Sequence, residues 1–176
     1  MRTLAIAALV SAAATGAQAL TAEWADNGHV YEIVWGHISW TDARAAAEGA
    51  THHGMTGYLT TITSAAEQRF LNSLNWFDAD LWIGASDAAT EGEWRWVGGP
   101  EAGDLVDGAF WARGEPNDYG RGEDYAAGWW SGNAWNDLPN RFGSVRGYVV
   151  EYSADMPAVP LPGGLPLLLT SLAAFG

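Results

Sequence analysis

A chain without a single cysteine has no disulfide to hold its loops, no thiolate metal site and no cysteine nucleophile. It must fold on packing, and any metal it holds must be bound by oxygen or imidazole. Material for packing is plentiful. Hydrophobic residues make up 48% of the 176, and the 11 Trp among 22 Gly suggest a loop-rich fold containing β-structure and large buried aromatics. Oxygen donors are plentiful too. The 21 Asp and Glu face only eight basic residues, all Arg, for a formal net charge of −13. Such a chain is repelled by nucleic acid and by anionic membrane surfaces. It suits a hard cation such as calcium, although a generally acidic soluble surface gives the same charge.

The order of local patterns predicts an α+β fold. His29-Val-Tyr-Glu-Ile-Val-Trp35 reads as a strand or strand pair. Trp40 to Glu48 is Ala-rich and stops at Gly49, the pattern of a helix and its end. Tyr58 to Ile62 is β-like. Ser64 and Glu67 form a capping box for a second helix, on which Phe70, Leu71 and Leu74 share a face. From Leu81 the character changes. Leu81–Ala85, Trp94–Val97 and Arg146–Tyr152 read as strands separated by Gly-rich, acidic loops, and loops of that kind on a packed scaffold usually carry function. Within Gly114 to Asp124, the side chains of Glu115, Asn117, Asp118, Glu123 and Asp124 crowd one short loop, where their charges repel unless a cation sits among them. Asn136 and Asp137 can add two further oxygens from the next strand.

Trp82-Ile83-Gly84, Trp94, Glu115-Pro116-Asn117, Trp135-Asn136-Asp137 and the closing Val150-Glu151 occur in that order. With these markers the chain resembles the C-type lectin family over nearly all of residues 23–153. The resemblance implies the C-type lectin-like fold, with two helices flanking antiparallel sheets and a long calcium-binding loop region. It implies a principal calcium site formed by Glu115, Asn117, Glu123, Asn136 and Asp137, with a cis peptide before Pro116 turning its neighbours toward one ion. An auxiliary calcium maps to Asp87, Glu91, Asp118, Glu123 and Asp124. The bland reading of Asp87 and Glu91 is a solvated acidic turn. The principal five would also hold sugar, since hydroxyls donate to carboxylates and accept from Asn amides. Glu-Pro-Asn resembles the variant favouring mannose, fucose or glucose, whereas the galactose variant carries Gln-Pro-Asp. An open site of this kind binds one sugar with a dissociation constant on the order of 1 mM, so useful affinity needs several copies. The family's two disulfides map to Ala47 with Val150, an apolar pair suited to the core, and to Tyr125 with Asn140, where the sequence offers no obvious substitute. A lost disulfide costs about 2–5 kcal/mol, which would leave the loop dependent on calcium for order.

The two ends read as processing segments. Arg2, the apolar Leu4–Val10 and Ala17-Gln18-Ala19 form a secretory signal over residues 1–19, cleaved after Ala19. The Pro- and Gly-rich joint Val159-Pro-Leu-Pro-Gly-Gly164, followed by the apolar Leu165 to Phe175, resembles the bacterial Val-Pro-Leu-Pro-Ala C-terminal sorting signal without its basic tail. Residues 154–176 are then a linker and anchor-like segment, short of the roughly 20 residues a membrane span needs, through which the protein could associate with a membrane. Secretion or display at the cell surface follows from these two ends.

Calcium-dependent binding of mannose-type glycans is the first functional expectation. The alternative is a lectin-like module that binds protein or another surface, with structural calcium and no sugar. A glycosidase using Glu115 and Glu123 is disfavoured, because both carboxylates are expected on the metal and none is left as a protonated acid. Trp82, Trp94 and Trp96 read as core, His52-His53 as a polar loop, Arg121 as a balance to the acidic loop, and one of Trp129 and Trp130 as a stacking surface.

Overall fold

The computed structural model describes residues 20–74, 79–107, 110–120, 122–130, 134–141 and 143–155. The expected signal segment, the tail from residue 156, Arg121 and the side chains of Trp129 and Trp130 lie outside the described residues. In chain order the elements are β1 (Leu20–Trp24), β2 (His29–Trp35), α1 (Trp40–Gly49), β3 (Thr51–His52), β4 (Met55–Leu59), α2 (Ala65–Ser73), β5 (Leu81–Ser86), β6 (Arg95–Trp96), β7 (Tyr125–Trp130), β8 (Ala134–Leu138) and β9 (Gly147–Tyr152). The fold is α+β, as the sequence implies.

Both helices start where their caps place them. Ser39 accepts a hydrogen bond from the Asp42 amide and opens α1, and the extended Ala50 closes it by returning its N–H to the Ala47 carbonyl. Gly49 is therefore the last helical residue rather than the residue beyond the end. At α2, Ser64 Oγ accepts from the Glu67 amide at 3.1 Å. The other half of the expected capping box is displaced. The Glu67 carboxylate is buried and accepts from the Tyr31 hydroxyl at 2.7 Å and the Thr63 amide at 2.9 Å, one residue ahead of the cap.

The main sheet runs β1-β2-β9-β5-β7-β8, with β4 also pairing β9 and β6 pairing β5. Leu20, Thr21 and Ala22 already pair with β2 ahead of Glu23. Strands β5 and β9 run parallel to each other and every residue in both is buried, which explains their almost unbroken apolar sequence. Their side chains alternate between two cores. Leu81, Ile83, Ala85 and Val149 join Tyr31, Ile33, Leu71, Trp94, Trp96 and Trp135 on the α2 side, where Phe70 and Leu74 pack as well. Trp82, Tyr148, Val150 and Tyr152 join Trp40, Ala43, Ala47 and Leu59 on the α1 side. The three tryptophans expected in the core are thus in it. Gly84 belongs to the same design: a Cβ there would stand 2.5 Å from the Leu59 carbonyl oxygen.

The packing also shows what stands at the two positions where the resemblance implies disulfides. Ala47 and Val150 are fully buried in one cluster, so apolar contact fills the first position. The second position, for which the sequence offers no obvious substitute, has one made of other chemistry. Asn140 Oδ1 accepts from the Thr41 amide at 3.1 Å, and its Nδ2 donates to Thr41 Oγ1 at 3.1 Å. Tyr125 packs on Trp40 with ring centroids 4.7 Å apart. Tyr125 and Asn140 are thereby both tied to the first turn of α1.

Candidate functional site

Strand β8 carries the base of the site. Its Trp135 is fully buried and donates from the indole to Gln68. Asn136 and Asp137 follow, both buried. The Asp137 carboxylate accepts from the Asn117 amide at 3.0 Å and the Asp118 amide at 2.7 Å, so the strand grips the long loop by its backbone. Between Trp135 and this grip the Glu115–Pro116 peptide is cis, as the resemblance implies, and Asn117 Nδ2 donates to Glu115 Oε2.

The remainder of the loop is wound on its own carboxylates. Asp118 is one of two non-glycine residues in the left-handed region among the described residues, at φ 44°. Its Oδ1 accepts from the Gly122 amide and, at 3.2 Å, from the Glu123 amide. Glu123 Oε2 accepts from the Tyr119 amide at 3.0 Å. On the neighbouring turn, Asp87 Oδ2 accepts from the Gly92 amide at 2.9 Å, and the Asp87 amide donates to the Asp124 carbonyl at 3.2 Å. That last bond joins the Asp87–Gly92 turn to the long loop and brings the auxiliary set beside the principal one.

The electrostatics of this region are those of uncompensated negative charge. Loss of water first, and the adjacent Asp137 carboxylate second, hold Glu115 above the usual carboxylate range. Glu123 is raised by desolvation, opposed by the Tyr119 amide, with Asp137 and Asp118 adding repulsion and Arg141 offsetting some of it. Asp87 is raised by burial. Glu91 is raised by partial desolvation and then by Asp87, Asp118, Asp124 and Asp137, so all five acids share one field.

Two buried oxygens here have no hydrogen-bond partner among the described residues, Asn136 Oδ1 and Asp87 Oδ1. A buried acceptor left unbonded costs about 1–3 kcal/mol, and one lies in each expected set. Orphaned oxygens within a repelling carboxylate cluster are what a hard cation would satisfy, and the donor types fit calcium. As placed, however, no three His, Asp or Glu side chains among the described residues converge at ligating range. The carboxylates are instead engaged with backbone amides and with Asn117. The arrangement is a gathered set of oxygens in a hydrogen-bonded state.

One residue of interest went unread in the sequence. Tyr119 is 82% exposed on the loop between Asp118 and Gly120. Its signal was a lone aromatic among glycines and acids.

A family model described as the Lectin C-type domain matches residues 37–142. The chain belongs to the C-type lectin domain family. Members of this family usually bind calcium and carbohydrate and are generally not enzymes. Halomucin of Haloquadratum walsbyi is 43% identical over 136 residues, which cover 72% of this chain and 1% of halomucin. Hepatic lectin of Gallus gallus is 37% identical over 70% of this chain and 55% of its own length. The chain thus spans about half of one relative and a small fraction of the other. Among solved structures, the mouse scavenger receptor C-type lectin carbohydrate-recognition domain superposes with a TM-score of 0.62 at 25% identity, covering 80% of this chain and 97% of that domain. The carbohydrate-recognition domain of cow CD23, determined in the presence of a GlcNAc2Man3 oligosaccharide, gives 0.56 at 35% identity, covering 70% and 86%.

Proposed function

We propose that this C-type lectin domain binds carbohydrate of the mannose, fucose or glucose type in a calcium-dependent manner at an extracellular surface. The observation that carries the reading is the gathering of Glu115, Asn117, Glu123, Asn136 and Asp137 around one loop, with Asn136 Oδ1 buried and without a hydrogen-bond partner among the described residues. Those five residues would hold the principal ion, and Asp87, Glu91, Asp118, Glu123 and Asp124 an auxiliary one. Bound there, calcium supplies positive charge that draws the oxygens of sugar hydroxyls. The chain's own groups do the recognition. Glu115 and Glu123 accept hydrogens from sugar hydroxyls, while the Asn117 and Asn136 amides donate to the hydroxyl oxygens. Tyr119 offers an exposed ring on the same loop. The structure of CD23 in the presence of GlcNAc2Man3 supports the same sugar class. The proposed export rests on the signal segment of residues 1–19, and display on the tail of residues 154–176.

A glycan array probed with the full chain, in calcium and in chelator, tests the reading. Chelator-sensitive binding to mannose- or fucose-type glycans is expected. Calcium bound without any glycan would overturn it in favour of a module that binds protein or another surface and uses calcium structurally.

A further inference from the structure

We propose that the cavity between α1 and the Ser86–Thr90 segment is a second ligand pocket, built to take a small carboxylic acid that carries a hydrocarbon ring. The cavity has a volume of about 370 Å³. That is near the lower end of the range of about 300–1,000 Å³ typical of small-molecule sites, and it suits a single ring rather than an oligosaccharide. None of the nine proposed calcium ligands lines it. The proposal therefore stands apart from the lectin reading.

Its chemistry differs from that of the acidic loop. Trp40, Tyr125 and Val97 give the wall an apolar, aromatic character. The Trp40 indole is already committed, donating to the Ile83 carbonyl at 2.8 Å, so it offers carbon rather than an N–H. The polar groups at the cavity include three aliphatic hydroxyls, of Thr41, Ser86 and Thr90, two guanidiniums and one carboxylate. Arg44 and Arg95 both line it, in a chain that has only eight basic residues against 21 acids. Glu93 is the one carboxylate on the wall, and Arg95 neutralises it through Nε and Nη2 while giving Nη1 to the Gly103 carbonyl. Arg44 is different. Its hydrogen bonding among the described residues uses Nε alone, to Glu48 Oε1 at 2.7 Å. That bond is an ion pair with an exposed carboxylate outside the cavity lining, and the two terminal nitrogens make no hydrogen bond among the described residues, leaving a fork of the kind that matches a carboxylate. An aromatic wall beside one uncommitted guanidinium end selects a ring bearing one negative charge.

The test is an amide chemical-shift titration of the full, isotopically labelled chain with phenylacetate, its neutral counterpart phenylacetamide, and glucuronate, each in chelator and again in calcium. Phenylacetate is expected to shift amides of Thr41–Arg44, Ala88–Thr90 and Tyr125 at roughly millimolar concentration, with or without calcium. It should bind about fivefold more tightly than phenylacetamide, the size of an exposed charge pair. Arg44→Gln should abolish that preference while leaving phenylacetamide binding intact. Ala89→Phe, at an exposed position on the wall, should block both ligands. Equal binding of acid and amide, a preference that survives Arg44→Gln, or shifts confined to residues 115–124 would overturn the assignment. Binding of glucuronate in preference to phenylacetate would overturn its apolar half. Because the readout in chelator needs no metal, failure here leaves the glycan-array result untouched, and failure of the array leaves this one untouched.

Discussion

Asp137 is the residue on which the site turns. It is 1% exposed and gives its carboxylate to two backbone amides of the loop, Asn117 and Asp118. Asp137→Ala would remove the one oxygen, Oδ2, that accepts from both amides, so both lose their partner. We expect a loss of about 1–3 kcal/mol in unfolding free energy measured by denaturant, together with weaker calcium binding by calorimetry. Unchanged stability would mean that the loop is held by something else. Tyr119 should behave in the opposite way. Its ring is exposed, so Tyr119→Ala should change stability by no more than about 0.5 kcal/mol, yet reduce affinity for any chelator-sensitive glycan several-fold by removing an apolar face. The proposed ligand set comes from the sequence, where carboxylates and amides cluster in an order that resembles a known family. The grip of Asp137 on two amides was not legible there. It depends on where a strand from a different part of the chain comes to lie.

Elements divide along the same line. The helices were legible because their signals are local, an Ala-rich run for the first, and the Ser64 cap with apolar spacing for the second. Strand β7, Tyr-Ala-Ala-Gly-Trp-Trp, was not, because Ala and Gly have little strand preference and its existence rests on pairing with β5 and β8. The same distance effect hid the substitute for the second disulfide. A hydrogen-bonded pair 99 residues apart, Thr41 and Asn140, leaves no trace in sequence spacing. If that pair anchors the loop after β8 to α1, Asn140→Ala should cost about 1 kcal/mol, the net value of ordinary hydrogen bonds. It should also raise hydrogen exchange in residues 138–141 more than in β9. Exchange rising equally everywhere would show global destabilisation and no anchoring role.

At the scale of the whole molecule, charge sets how stability responds to pH. Glu67 lies in the α2-side core, and burial above all, with the Glu151 charge adding to it, raises its pKa from the usual 4.5 to about 7, against the hydrogen bonds from Thr63 and Tyr31. His29 is also raised, chiefly by its 2.6 Å hydrogen bond to Glu151 and against burial, which lowers it. The signs agree. Below pH 4.5 Glu67 is protonated in both the folded and the unfolded chain. Between 4.5 and 7 the unfolded chain releases that proton while the folded one keeps it, so stability falls, by about 3 kcal/mol once pH exceeds 7. The His29 contribution is complete below its unfolded value of 6.5 and is lost as pH rises through its higher folded value. In chelator, therefore, the melting temperature should fall from pH 5 to pH 8, and Glu67→Gln, which cannot ionise, should flatten much of that slope. Calcium at the proposed site would act in the other direction. Its carboxylate ligands must be ionised to bind it, so added calcium should raise the melting temperature at pH 8 far more than at pH 4.5. Scanning the two conditions side by side separates the core from the loop. A melting temperature that rises with pH in chelator would refute the assignment to Glu67 and His29. A calcium shift of equal size at pH 4.5 and pH 8 would refute a carboxylate site.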